Sequence, residues 1–269
     1  MHGQEKAFTA VVLAGDRGPG DPLVEASGMS CKPLIPVGGT PMVLRVVASL
    51  EEAREIGSIV LSGPPRVAVD QEEGLRYRIA SGTIHWMENQ ATPSASAWRA
   101  LESLPDQTPV LLTTADHALL SAKIVDYFCS QARSTGADVV AGLARHDSVI
   151  RAYPDTRRTA IHLRDGSYCS CNLFAFFTYR GRRAADFWRK VEKQRKKTLR
   201  LISGFGWLNV LLYLLRRPSL ERGLSRISRR LDLKAAAVIM PFPEAAVDVD
   251  TIEDWQLVES IVASQAKRE

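Results

Sequence analysis

The sequence predicts an α/β fold, a three-layer α/β/α arrangement around a doubly wound, mostly parallel mixed sheet, with a helical basic insertion near the C-terminus. Three observations predict it. Short β-type apolar runs at 8–13, 59–61, 83–86, 110–113 and 138–142 alternate with stretches at 42–54, 67–80, 94–104 and 121–134, where Leu, Val and Ala recur at helical spacing. A chain of 269 residues, 45% hydrophobic and 24% charged, can bury a substantial core. The first run also ends in a glycine-containing loop, and such sheets bind ligands beyond the carboxyl ends of their strands.

The opening run stops at Leu13-Ala14-Gly15, and Asp16, Arg17, Gly18 and Gly20 follow. Turns with few side chains expose backbone N–H groups that cradle phosphate oxygens. Lys32 comes next, before a second turn and the helical stretch 42–54, and would bring a positive charge to such a nest. Lys32 precedes Pro33, so a Walker-type loop, which needs Gly-Lys-Ser/Thr at a helix start, is not expected. The run 110–113 leads into Thr114-Ala115-Asp116-His117, so Asp116 shares a rim with the loop 14–32. A strand-end carboxylate there suits a divalent cation held against a polyphosphate.

Beyond residue 150 the pattern changes. Segments 159–163 and 168–177 around Asp165-Gly166 read as a β-hairpin, 236–240 as a returning strand, 246–249 as a short strand and 251–263 as a terminal helix. Thr251 and Asp254 form a capping box for that helix, and alternation puts Asp248 and Asp250 on one side of the strand before it. Ser94 and Ser96 open a helix whose N-terminal N–H groups and hydroxyls can meet a base or phosphate, although N-capping by Ser94 accounts for that residue equally well. With no repeat or low-complexity linker, one domain is expected over 1–269: a nucleotide-binding half at 1–142, an acceptor-side hairpin and basic insertion at 143–235, and a closing segment at 236–269.

Three strings, Leu13-Ala14-Gly15, Lys32-Pro33-Leu34 and Gly38-Gly39-Thr40-Pro41-Met42, together resemble the signature of the GT-A-type nucleotidyltransferases, the MobA-like NTP transferases and their sugar-phosphate and polyol-phosphate relatives. The resemblance covers about 1–142 and 236–263; Asp16 stands at the family's second glycine, Gly20 at its usual arginine, and Arg17 is placed to substitute. It implies a transfer of NMP from an NTP to a small phosphorylated acceptor (a sugar, polyol or lipid-headgroup phosphate), with release of pyrophosphate. It further implies that Leu13, Ala14, Gly15, Asp16, Arg17, Gly18, Lys32, Ser94 and Ser96 surround the nucleotide, and that Lys32 and Asp116 are catalytic. Asp116 and Asp250 would hold Mg²⁺ or Mn²⁺, Asp250 by the family's closing Asp-Val-Asp-Thr-x-Glu-Asp motif. Asn172 and one of Arg157 and Arg158 fall where such enzymes build the acceptor pocket, and adjacent arginines suit bidentate phosphate recognition. The Ser94/Ser96 turn leans the nucleotide towards CTP.

Charge and cysteine content bound the alternatives. The net charge of +5 hides a basic segment, 181–235, with 16 Lys/Arg against 4 Asp/Glu. It carries Phe187, Trp188, Phe205, Trp207 and Tyr213, and its apolar stretch 201–215 is too short to span a bilayer. Two readings stand there: a helical subdomain with a solvated basic face, or a peripheral contact with an anionic membrane surface. No nucleic-acid motif accompanies the charge, so no nucleic-acid partner is expected. Cys169 and Cys171 would share one strand face, and no second Cys/His pair completes a zinc set. The N-terminus lacks signal-peptide architecture, so a cytoplasmic location is expected. Competing readings are a non-catalytic nucleotide-binding protein, a metal-dependent glycosyltransferase releasing NDP, and a membrane-associated scaffold.

Overall fold

The computed structural model describes residues 7–266 except Arg17, Pro19 and 203–217, with the side chains of 191 and 193–202 also outside the description. One eight-stranded mixed sheet forms the centre. Strand β1 (Phe8–Leu13) is buried at every position, as an apolar run flanked on both sides must be. It pairs in parallel with β4 (Ile56–Ser62) on one side and β6 (Val110–Thr114) on the other, and β5 (Ile84–Met87) pairs in parallel with β4. Between β6 and β7 (Val139–Arg145) lies β9 (Gly166–Phe176), antiparallel to both, while β10 (Ala235–Met240) completes that edge parallel to β7. The short β8 (Ile161–Leu163) pairs only with β9, making the expected hairpin. The doubly wound, mostly parallel mixed sheet read from the sequence is the sheet observed.

Helices cover both faces. Helix α2 (Met42–Glu52) and helix α6 (Ala122–Ser134) bury apolar stripes against β1 residues Ala10 and Val12. Helix α5 (Pro93–Glu102) and helix α8 (Tyr179–Ile202) pack on the opposite face against Val11 and Leu13. Alternate β1 residues thus enter opposite cores, the consequence of a strand's two-residue period. A third cluster joins Leu23, Ile35 and Val37 to Val247, Val249 and Val258, tying the segment after β1 to the C-terminal helix Ile252–Ala266.

Several elements depart from expectation. The stretch 67–80 is two helices, α3 (Arg66–Gln71) and α4 (Glu73–Ala80), because Glu72 turns extended and its side chain accepts from Gly74 N at 3.2 Å. Segment 246–249 is not a strand: Pro243–Ala246 is a 3-10 turn, and Val249 N bonds only Asp116 O, at 3.0 Å. The cap of α5 is Thr92, whose hydroxyl accepts from Ala95 N at 3.3 Å, and not Ser94. Short helices α1 (Pro22–Ser27) and α7 (His146–Ala152) and the β2–β3 hairpin (Pro36–Val37, Thr40–Pro41) carry too few residues for a periodic signal. That hairpin turns through Gly38 and Gly39, both at positive φ (58° and 76°), the conformation of a primed two-residue turn.

Most of the described basic segment is helical, in α8 and in the helix Leu220–Leu231, before Ala235 begins β10; Phe205, Trp207, Tyr213 and most of the apolar stretch 201–215 lie outside the described residues. Its charge is not all solvated. Arg182 is 3% exposed and donates to the carbonyls of Leu101, Leu104, Pro105 and Thr108 at 2.6–3.0 Å, fastening α8 to the end of α5. No helix among the described residues is long and apolar enough to cross a membrane. All four cysteines are free and buried, Cys169 and Cys171 on β9 among them.

Candidate active site

Strands β1 and β6 end side by side. Leu13 is in register with Thr114, and Ala115 N donates to Leu13 O at 2.9 Å, so the loops after both strands leave the sheet at one rim. The loop after β1 returns to the 3-10 turn Lys32–Leu34, which buries Lys32 to 5% exposure. The lysine reaches across the rim: Nζ lies 2.7 Å from Asp116 Oδ2 and 2.8 Å from Asp250 Oδ1. Burial disfavours its charge, but the two carboxylates outweigh that cost and hold its pKa above the usual 10.5. An ammonium and two acids from distant parts of the chain therefore meet at one point.

A pocket of about 350 Å³ opens beside them, lined by Leu13, Gly15, Asp16, Asn89, Gln90 and Ser96 besides the lysine and Asp116. Asp16, the departure from the family pattern, turns its Oδ1 toward Lys32 N at 3.4 Å and so helps to fix the lysine turn. Gly18 adopts φ +83°, a backbone that a side chain would strain. Arg17 lies outside the described residues. Ser96 lines the pocket and its hydroxyl accepts from Gln90 N at 2.8 Å. Ser94 does not: its hydroxyl is bonded to the Glu192 carboxylate of α8. His117 is buried at 1% exposure, not solvated, and burial pushes its pKa down to about 4, leaving the ring neutral near pH 7.

Asp248 takes a different partner from Asp250. The Arg158 guanidinium pairs with the Asp248 and Asp254 carboxylates, donates to Asp248 O at 2.7 Å and to Thr156 Oγ1 at 3.0 Å, and is thereby consumed within the protein. Asn172, at positive φ (49°) on β9, donates to Asp248 Oδ2 at 2.9 Å. Asp254 completes the capping box, with Oδ2 accepting from Thr251 N at 3.0 Å and from Asp250 N at 3.2 Å. Exposed Arg157 lines a separate cleft of about 350 Å³ with Asp155 and Glu253, sharing no residue with the lysine pocket. The structure thus gathers Lys32, Asp116, Asp250, Gly15, Asp16 and Ser96, and places Ser94 and the two arginines elsewhere. The pocket residues Asn89 and Gln90 had no sequence signal; their place after β5 at the ligand edge is the one cue available.

The family model of the MobA-like NTP transferase domain matches residues 10–162, more than half of the chain. The chain belongs to this family. Among solved structures, this MobA-like chain is similar to a hypothetical transferase from Thermus thermophilus, with 29% identity, a TM-score of 0.72, and 93% of this chain and 99% of that one covered. A CMP:2-keto-3-deoxy-manno-octonic acid synthetase complexed with CTP shares the fold, at 10% identity and a TM-score of 0.58 over 96% of this chain and 100% of that one. The 2-C-methyl-D-erythritol 4-phosphate cytidylyltransferase of Gloeobacter violaceus is 25% identical over 132 residues, 47% of this chain and 54% of that one. The MobA-like chain spans about half the length of that curated relative.

The donor set fits a divalent cation. Mg²⁺ takes one or two protein carboxylates and completes its shell with phosphate and water oxygens. Asp116 would supply one carboxylate, and its buried Oδ1 has no hydrogen-bond partner in the described structure. Asp250, from the other end of the chain, would supply the second, its Oδ1 2.8 Å from the same ammonium. No cluster of three or more His, Cys, Asp and Glu able to hold a metal occurs among the described residues.

Proposed function

We propose that this chain is a Mg²⁺-dependent nucleotidyltransferase that transfers NMP from an NTP, CTP first among them, to a small phosphorylated acceptor. The observation that carries the reading is Lys32, held between Asp116 and Asp250 at the mouth of the strand-end pocket. An oxygen of the acceptor phosphate attacks the α-phosphorus, the bond from that phosphorus to the bridging oxygen of the β-phosphate breaks, and pyrophosphate leaves. Such a transfer needs positioning and charge stabilisation more than covalent help. When bound, Mg²⁺ (or Mn²⁺) would neutralise phosphate oxygens and the leaving pyrophosphate, held by Asp116 and Asp250.

The chain's own groups do the rest. Backbone N–H groups at Gly15, Asp16 and Gly18 would hold the β- and γ-phosphates, with Leu13 lining the pocket beside them, while Ala14 is buried in the core behind. The Lys32 ammonium, kept charged by its two carboxylates, offsets charge developing at the α-phosphate and leaving group. Asn89, Gln90 and Ser96 face the base and ribose side of the pocket, and the similarity to a cytidylyltransferase supports CTP as the nucleotide. Asn172, beside the acid cluster, is on the acceptor side. Pyrophosphate release from the four NTPs, each offered with sugar, polyol, amino-alcohol and alkyl phosphates, tests the proposal. Release with at least one pair is expected; intact NTP throughout, or release of NDP from an NDP-sugar instead, overturns it.

A further inference from the structure

Over β6, β9, β7 and β10, α8 and the helix Leu220–Leu231 do not close on each other, and a groove of about 410 Å³ remains between them. Its floor includes Phe174 and Phe176 of β9, and its walls carry Ala184 and Trp188 from α8 and Ile227 from the second helix. Packed interiors leave few voids larger than a water molecule, so an apolar opening of this size is a space for something else. Trp188 and Ile227 remain 41% and 47% exposed beside it.

Two features join this groove to the strand-end pocket. Leu13 and Thr114 line both. Thr114, on the same face of β6 as Leu112, has a buried hydroxyl with no hydrogen-bond partner in the described structure. A buried hydroxyl left unpaired costs free energy that a polar ligand atom would recover. Asn172 lines the groove from the side of the acid cluster.

We infer that the groove holds the acceptor, and that the acceptor is a phosphomonoester of an apolar alcohol, its hydrocarbon between α8 and the helix Leu220–Leu231 and its phosphate at Thr114 and Asn172. This rests on the nucleotidyltransferase reading and names its substrate class. The reaction balances as before: the alkyl phosphate oxygen bonds to the α-phosphorus, and the products are a nucleoside diphosphate ester of the alcohol and pyrophosphate.

The test is calorimetric titration of the full chain with n-octyl phosphate and with glycerol 3-phosphate, alongside pyrophosphate release with CTP and Mg²⁺. Octyl phosphate should bind at least tenfold more tightly than glycerol 3-phosphate. Ala184→Phe, which fills the groove, and Ile227→Glu, which charges its exposed rim without touching the core, should each weaken octyl phosphate at least tenfold. Equal or weaker binding of octyl phosphate, or binding unaffected by both variants, overturns the inference, a groove filled by the protein's own chain being one way to that result. Tight, variant-sensitive binding without pyrophosphate release keeps the groove assignment and sinks the transferase reading. Turnover of glycerol 3-phosphate but not octyl phosphate does the reverse.

Discussion

Lys32 and Asp116, 84 positions apart, meet at 2.7 Å, and the same ammonium holds Asp250, 218 positions away, at 2.8 Å. A buried lysine with one acid would be a common structural pair. A buried lysine with two, beside a pocket at the ends of adjacent parallel strands β1 and β6, concentrates opposite charges where a polyphosphate and its cation would exchange with them.

Replacing the lysine separates these roles. In Lys32→Gln the two carboxylates lose their shared ammonium and become a stronger cation site. Mg²⁺ should raise the melting temperature of the variant more than that of the wild type; a tenfold gain in affinity is worth ~1.4 kcal/mol, or ~3–5 °C for a chain of this size. Turnover should meanwhile fall by about two orders of magnitude or more. An equal or smaller Mg²⁺ shift in differential scanning fluorimetry contradicts the arrangement.

Arg158 is predicted to matter for stability. Its side chain is 8% exposed and pairs with Asp248 and Asp254. Arg158→Met strands both carboxylates without their counter-charge and should cost about 3–5 kcal/mol in urea unfolding. Arg158→Lys should recover only part, since an ammonium cannot reproduce the forked contacts. A loss below about 1 kcal/mol in Arg158→Met would show that the clamp is not holding the closing segment.

Asp138 supplies a pH-dependent test. Its carboxylate accepts from Thr178 Oγ1 and from Lys234 N, both at 2.7 Å, joining the starts of β7, α8 and β10. Burial opposes its charge, but the Lys234 N–H and the Thr178 hydroxyl outweigh it and hold the carboxyl below the usual 3.8. A depressed carboxylate pKa adds stability that is complete above the unfolded value and fades as pH falls through the folded one. Asp138→Asn should therefore lose about 1–2 kcal/mol near pH 7, and the gap from wild type should stay level to about pH 4 and narrow below it. A gap that persists unchanged at pH 2.5 contradicts this.

Much of this was legible in the residues. The runs around Val11, Val60 and Leu112 marked the sheet because each is short, apolar and bounded by turns; Asp116 followed one of them, Lys32 lay in the loop sharing its rim, and Asp250 was marked by the closing motif alone. What escaped depends on contacts that no local pattern encodes. Arg158 reads like its neighbour Arg157, and only Asp248 and Asp254, 90 and 96 positions on, make it a clamp. Arg182 sits in a basic run and reads as solvated, yet four carbonyls at the end of α5 bury it. The helical spacing of 67–80 hid the break at Glu72, where a side-chain cap for Gly74 starts a second helix. Thr92 and Ser94 are equally good caps by type, and Glu192 decides between them by taking Ser94.

The central claim is that Asp116 serves a phosphate–cation complex and is not merely a partner of Lys32. Phosphorus NMR of CTP, Mg²⁺ and an accepted phosphomonoester, followed with wild-type protein and with Asp116→Ala, measures this most directly. The account predicts that pyrophosphate and the paired resonances of a new diphosphate ester grow in with the wild type, and that they are absent over the same period with a variant that unfolds as cooperatively as the wild type. Wild-type rates in Asp116→Ala would contradict it.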